Sequence, residues 1–161
     1  DNAERAIFYA RGVLETVKKL RWVPDVIHCQ GWIASIVPVL LKTAYKDEPS
    51  FKDCKVVYSV SQQPLNLPLS QNFANSITYR DCKPEVLEGL SEPYTGADLQ
   101  KLAINYSDGV AISSENPDAE LVAYAEASGL PVMTYPGNDH EKYLDFFDQI
   151  WSEGKTDEEE D

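Results

Sequence analysis

Histidine is scarce in this chain, cysteine is sparse, and positive charge is heavily outnumbered. Only His28 and His140 offer an imidazole, and Cys29, Cys54 and Cys82 lie far apart with no CxxC spacing. That combination argues against a zinc site and a disulfide framework, and leaves reduced, buried thiols as the expectation. Against 27 acidic residues stand 14 basic ones, a net charge of −13. Such a surface repels phosphate backbones, so nucleic acid is not expected as a partner. No apolar run reaches membrane-spanning length and no basic-then-apolar leader opens the chain, hence the expectation of a soluble, cytoplasmic protein with no membrane partner. Paired carboxylates, a nucleophile triad and a phosphate-cradling glycine-rich loop are all missing, and no cofactor is expected.

What is present is an ordinary globular composition, 43% hydrophobic and 11% aromatic over 161 residues, enough for one domain with a proper core. The chain opens on a helix that Asp1 or Asn2 is placed to cap, with Ala6, Ile7, Ala10, Val13, Leu14 and Val17 at helical spacing and Lys18 and Lys19 at its end. Residues 25–29 read as a short buried strand, Trp32 to about Lys46 as a helix that Pro38 disturbs, and Lys55–Val60 as a second strand. Four prolines punctuate residues 62–96, read as loops with short helices around Phe73–Tyr79 and Pro84–Leu90. A helix over Ala97–Tyr106, a strand over Gly109–Ser113, a helix started by Asn116-Pro117 and ended at Gly129, a strand over Pro131–Thr134 and a helix over Glu141–Trp151 complete residues 1–151. Residues 152–161 carry mostly acidic side chains and read as a disordered tail.

Strands separated by helices require parallel pairing through crossovers, so the expected fold is a doubly wound parallel α/β sheet. The first helix has no strand before it, which points to a sheet that extends further towards the N-terminus or to a partner chain covering its edge. In such sheets ligands bind beyond the carboxyl ends of the strands. Three ends matter here: His28-Cys29-Gln30-Gly31-Trp32, Ser61-Gln62-Gln63 and Ser113-Ser114-Glu115-Asn116. Hydroxyls, amides and an imidazole on one rim suit a sugar, with Trp32 as an apolar plate. Each also has a plainer reading. His28 serves equally as a satisfied structural residue, Trp32 as core, and Ser113, Ser114 and Asn116 as helix caps. Gln30, Ser61 and Gln62 do not titrate near neutral pH and so supply no general acid or base.

Residues 1–15, DNAERAIFYARGVLE, resemble the run D-N-x-x-R-F-x-x-F-x-R-A-x-L-E of bacterial glycogen and starch synthases. Pro24–Trp32 resembles that family's P-D-I-I-H-x-H-D-W, and Val37–Lys42 its V-P-x-Y-L-K. Lys55–Val60 is similar to the strand that leads into the family's H-N pair, and Tyr106–Ser113 to its S-D-x-V-T-T-V-S. The resemblance implies a Rossmann-like fold, as a partial N-terminal domain of the two-domain GT-B architecture. It implies retaining transfer of glucose from ADP-glucose to an α-1,4-glucan. The N-terminal domain then offers the glucan side, and the C-terminal domain most of the nucleotide-sugar site with a key glutamate. Carried over position by position, the second histidine of the motif, beside the transferred glucose, becomes Gln30, and the acidic position becomes Gly31. The H-N pair becomes Ser61-Gln62. His28, Trp32, Ser61 and Gln62 are the implied substrate-binding positions, and Gln30 stands at the catalytic one. The family's K-x-G-G-L loop belongs on a strand ahead of residue 1, and its nucleotide-sugar domain after Trp151. The expectation is therefore a synthase-related domain inactive by itself, or a non-catalytic glucan-binding or regulatory module of the same descent.

Overall fold

The computed structural model describes residues 2–61, 69, 72–78, 82–90 and 92–159, with 154–159 as backbone path alone. Four strands, β1 (Val26–Gln30), β2 (Lys55–Val60), β3 (Gly109–Ile112) and β4 (Val132–Met133), form one sheet in the order β1-β2-β3-β4. All three pairings are parallel, with His28 opposite Val57, Gln30 opposite Ser59 and Val60 opposite Ile112. The order advances in one direction. Among the described residues β1 and β4 are each paired on one side only.

Side-chain alternation along the strands decides what covers each face. Ile27, Cys29, Val56, Tyr58, Val60, Val110, Ile112 and Val132 point to one side. They pack there with residues of α1 (Asn2–Lys19), α2 (Ile36–Leu41), α4 (Gly96–Asn105) and α5 (Ala119–Ala127) in the large core. The alternate set on the other side has one buried apolar residue, Val57, and otherwise small or polar ones, Ser59, Gly109 and Ala111, with His28 and Gln30 beyond them on β1. Among the described residues α6 (Glu141–Glu159) alone covers that face, through Phe146 and Ile150. The small residues let it come close: a Cβ on Gly109 would stand 2.6 Å from Ile150 Cδ1. Helices on both faces of a parallel sheet bear out the α/β expectation.

Local chemistry fixes the element ends. Thr95 and Asp98 form a reciprocal capping box at the start of α4, Asp98 Oδ2 accepting from Thr95 N at 2.8 Å. The helix α5 starts later than the Asn116-Pro117 expectation. Asn116 N–H instead donates to Ser114 Oγ in the preceding turn, and the Asp118 carboxylate caps the helix by accepting from Leu121 N at 3.0 Å. The expected helix from Trp32 to Lys46 is divided into a 3-10 turn (Trp32–Ala34) and α2, which stops at Leu41. Pro38 then falls in the first turn of α2, where the lost N–H needs no helical partner. The short helix α3 (Phe73–Thr78) and a 3-10 turn (Pro84–Leu87) lie where short helices are expected.

The last helix also departs from expectation. It runs past the expected end at Trp151, continuing to Glu159. Residues 152–159 contain no proline, and their Glu and Lys residues are good helix formers. Three ion pairs are found among the described residues, Lys18–Glu48, Lys42–Asp108 and Lys101–Glu120. The Asp108 carboxylate, just ahead of β3, does the most: besides holding Lys42 Nζ at 2.9 Å it accepts from the first inward backbone N–H of β2, Val56 N, at 2.8 Å.

Candidate functional site

The carboxyl ends of β1, β2 and β3 lie side by side in the sheet, so Gln30, Ser61 and Ser113 share one rim. Gln30 closes β1 with an exposed side chain, and Ser61 follows β2 directly, half-buried. Ser113 ties the rim together, its N–H reaching Val60 O at 2.9 Å and its hydroxyl the same oxygen at 3.2 Å. Gln62 lies outside the described residues.

His28 is not at the rim edge. It sits in mid-strand on the α6 face, its Nε2 2.5 Å from Ser59 Oγ. Phe147 and Tyr143 of α6 stand over it, with ring centroids at 5.2 and 6.1 Å. Part of the imidazole meets solvent, but the covered part lowers its pKa through desolvation. Near neutral pH it is therefore the uncharged form, a hydrogen-bonding group rather than a source of positive charge.

Gly31 and Trp32 turn the chain from β1 towards the opposite face. Gly31 has φ 80° and ψ 172°, a region in effect closed to residues with a Cβ. Its carbonyl oxygen receives the hydroxyl of Tyr58 at 3.0 Å, and the same hydroxyl lies 3.2 Å from the side-chain amide of Gln100. Tyr58 is fully buried, and desolvation pushes its pKa up, so it stays a neutral donor. Trp32 is half-buried, packed against the large core, and its carbonyl accepts from Ser35 Oγ at 2.6 Å.

The structure thus brings Gln30, Ser61 and Ser113 together, places His28 two residues below Gln30 on the same face, under α6, and packs the half-buried Trp32 against the core. Sequence reasoning missed Ser59, the buried partner of His28, and the aromatic pair Tyr143 and Phe147. Strand alternation places Ser59 beside His28 once the register is known, but the register is not written in either strand alone. The thiols are remote from this chemistry. Burial pushes Cys29 up to about 12, helped by the neighbouring Cys54, and burial likewise pushes Cys54 up to about 12. All three cysteines are buried, and none is in a disulfide. Among the described residues no group of His, Cys, Asp and Glu is arranged to hold a metal, and no helix is long and apolar enough to cross a membrane.

Residues 1–133 match the family described as starch synthase catalytic domain. The chain belongs to that family. Among curated relatives, the glycogen synthase of Clostridium perfringens is 38% identical over 125 residues, covering 75% of this chain and 25% of that protein. The glycogen synthase of Chlorobaculum parvum is 34% identical over 127 residues, covering 79% of this chain and 25% of its own length. This member of the starch synthase family therefore spans about a quarter of the length of the relatives it matches. No solved structure matches the chain. The family assignment agrees with the resemblance read from residues 1–113, and the parallel sheet is consistent with part of a GT-B Rossmann-like domain.

Proposed function

We propose that this chain provides the glucan-facing part of a glycogen or starch synthase of the ADP-glucose type, working in the cytoplasm. The rim of Gln30, Ser61 and Ser113 is the α-glucan contact surface, with a second domain or partner chain lying across the free edge of β1 and contributing the ADP-glucose side. The observation that carries this reading is the convergence of those three strand ends in a chain of this family. The rim's side chains donate and accept hydrogen bonds, as sugar hydroxyls require, and none of the three is charged. Glucosyl transfer develops positive charge at the sugar, and stabilising it needs groups these residues lack.

A second reading, a glucan-binding or regulatory module without transferase activity, draws on one observation. Gly31 occupies the family's acidic position in a backbone conformation that excludes an aspartate. Gln30 could become histidine at an exposed strand end, but the residue after it could not become aspartate without rebuilding the turn. Both readings place a glucan on this rim, and one pair of measurements separates them. Glycogen should retain the purified chain in a pull-down, Gln30→His should be retained at least as well, and neither should incorporate label from ADP-[14C]glucose. Label incorporated by the Gln30→His variant favours the synthase reading. If folded protein of neither sequence is held by glycogen above background, the rim is not a glucan surface.

A further inference from the structure

At the opposite end of the strands from the rim, three lysines meet in a chain that has few positive charges to spare. Helix α2 runs antiparallel to the strands, so the residues after it emerge at the amino ends of β2 and β3. There Lys42, Thr43 and Lys46 line, together with Lys83, Val86 and Tyr106, a cavity of about 560 Å³. Glu85 also lines it and is its one carboxylate. Lys42 is already held by Asp108 at 2.9 Å. Lys46 and Lys83 have no such partner among the described residues, and Thr43 gives its hydroxyl hydrogen to Val39 O at 2.7 Å.

We infer that this cavity binds a phosphate monoester with a compact organic body, the anion lying between Lys46 and Lys83 and the body against Tyr106, Val86 and Ala44. Two features define that class. Two ammonium groups without an ion-pair partner, lining one cavity, favour a small anion with several acceptor oxygens. The cavity is far larger than an inorganic phosphate, and beside Thr43 and Glu85 its remaining wall is Tyr106, Val86 and Ala44, a surface that a sugar or aromatic ring covers well. A plainer role for the lysines also exists. α2 and α4 both end here, at Leu41 and Asn105, and cations at helix carboxyl ends offset the dipole. In that case the lysines support the fold and bind nothing.

Calorimetric titration of the whole chain at low salt with phenyl phosphate decides between them. Saturable binding is expected, tighter than for inorganic phosphate, with phenol giving no heat. Lys46→Gln and Lys83→Gln should each weaken it about tenfold, the scale of one charge-assisted hydrogen bond. Lys142→Gln, on α6 across the sheet, removes the same charge and should leave the affinity unchanged. Equal loss in all three variants reduces the effect to net charge and overturns the site. Absence of binding up to about 10 mM, with a lowered melting temperature in Lys46→Gln and Lys83→Gln, overturns it in favour of the helix-end role. Binding of inorganic phosphate as tight as phenyl phosphate removes the organic body from the proposal and overturns the ligand class.

Discussion

The two faces of the sheet are built on different terms. One carries Val56, Tyr58, Val60, Val110 and Ile112 under four helices, and the fully buried Leu14, Leu40, Leu99 and Leu102 fill the space between. The other carries Gly109, Ala111 and Ser59, and a single helix presses two deeply buried residues, Phe146 and Ile150, against them. The first face is filled by volume and the second by close approach. Apolar burial therefore concentrates under α1, α2, α4 and α5, which hold the fold. The α6 face is thinner, leaving Leu144 exposed and His28 partly in solvent.

The contrast breaks most sharply in the thick layer. Leu102→Ala empties a position with no exposed surface, and its cost should be about 2–5 kcal/mol, a large share of what a domain of this size possesses. Chemical denaturation should show the whole two-state transition moving, since no element of that layer unfolds alone. A Leu102→Ala protein that unfolds as stably as the parent would mean that the large core does not carry the fold.

Gly109→Ala acts on the thin layer. The added methyl would come within 2.6 Å of Ile150 Cδ1 and 3.1 Å of Phe146 Cζ, so α6 must move outward or Ile150 must change rotamer. The expected cost is about 1–3 kcal/mol, smaller than for Leu102→Ala because a single covering helix shifts more readily than a filled core. Protease sensitivity should rise within residues 134–159 while the rest of the chain stays protected. Unchanged stability together with unchanged proteolysis would show that α6 does not seat on Gly109.

Much of the architecture was legible because strand chemistry is local. The β-branched run Lys55–Val60 matches β2 end to end, and Gly109-Val110-Ala111-Ile112 already alternates small and large. Reading that alternation as two faces would have anticipated a close helix on one side. The helix starts were less legible where two caps compete within three residues. Asn116-Pro117 has the textual form of a start, but Asp118 holds the hydrogen bond. The rim of the candidate site followed from chain order alone, whereas the direction of His28 did not. His28 lies two residues before the strand end, so parity sets it on the same face as Gln30, but nothing in the strand says which helix covers that face. The Lys42, Lys46 and Lys83 cluster joins segments that no pattern in the sequence connects.

The smallest effect sharpens the comparison at its edge, where the thin layer leaves His28 exposed beside the rings of α6. Desolvation lowers its pKa in the folded chain, so around and just below the ordinary histidine value the unfolded chain binds more protons than the folded one. Stability should therefore fall as pH drops through about 6.5 towards the folded-state value, and change no further from this group below it. Carboxylates titrate lower and in both parent and variant, so the quantity to measure is a difference. Between about pH 7.5 and about pH 5 the parent should lose more melting temperature than His28→Gln, which keeps a hydrogen-bonding group near Ser59 but takes up no proton. Tyr143 is silent in that interval, because desolvation raises its pKa above the usual tyrosine value. Parallel pH profiles for the two proteins would mean that α6 leaves the imidazole as well hydrated as in the unfolded chain, and that the rings of Tyr143 and Phe147 do not cover it in solution.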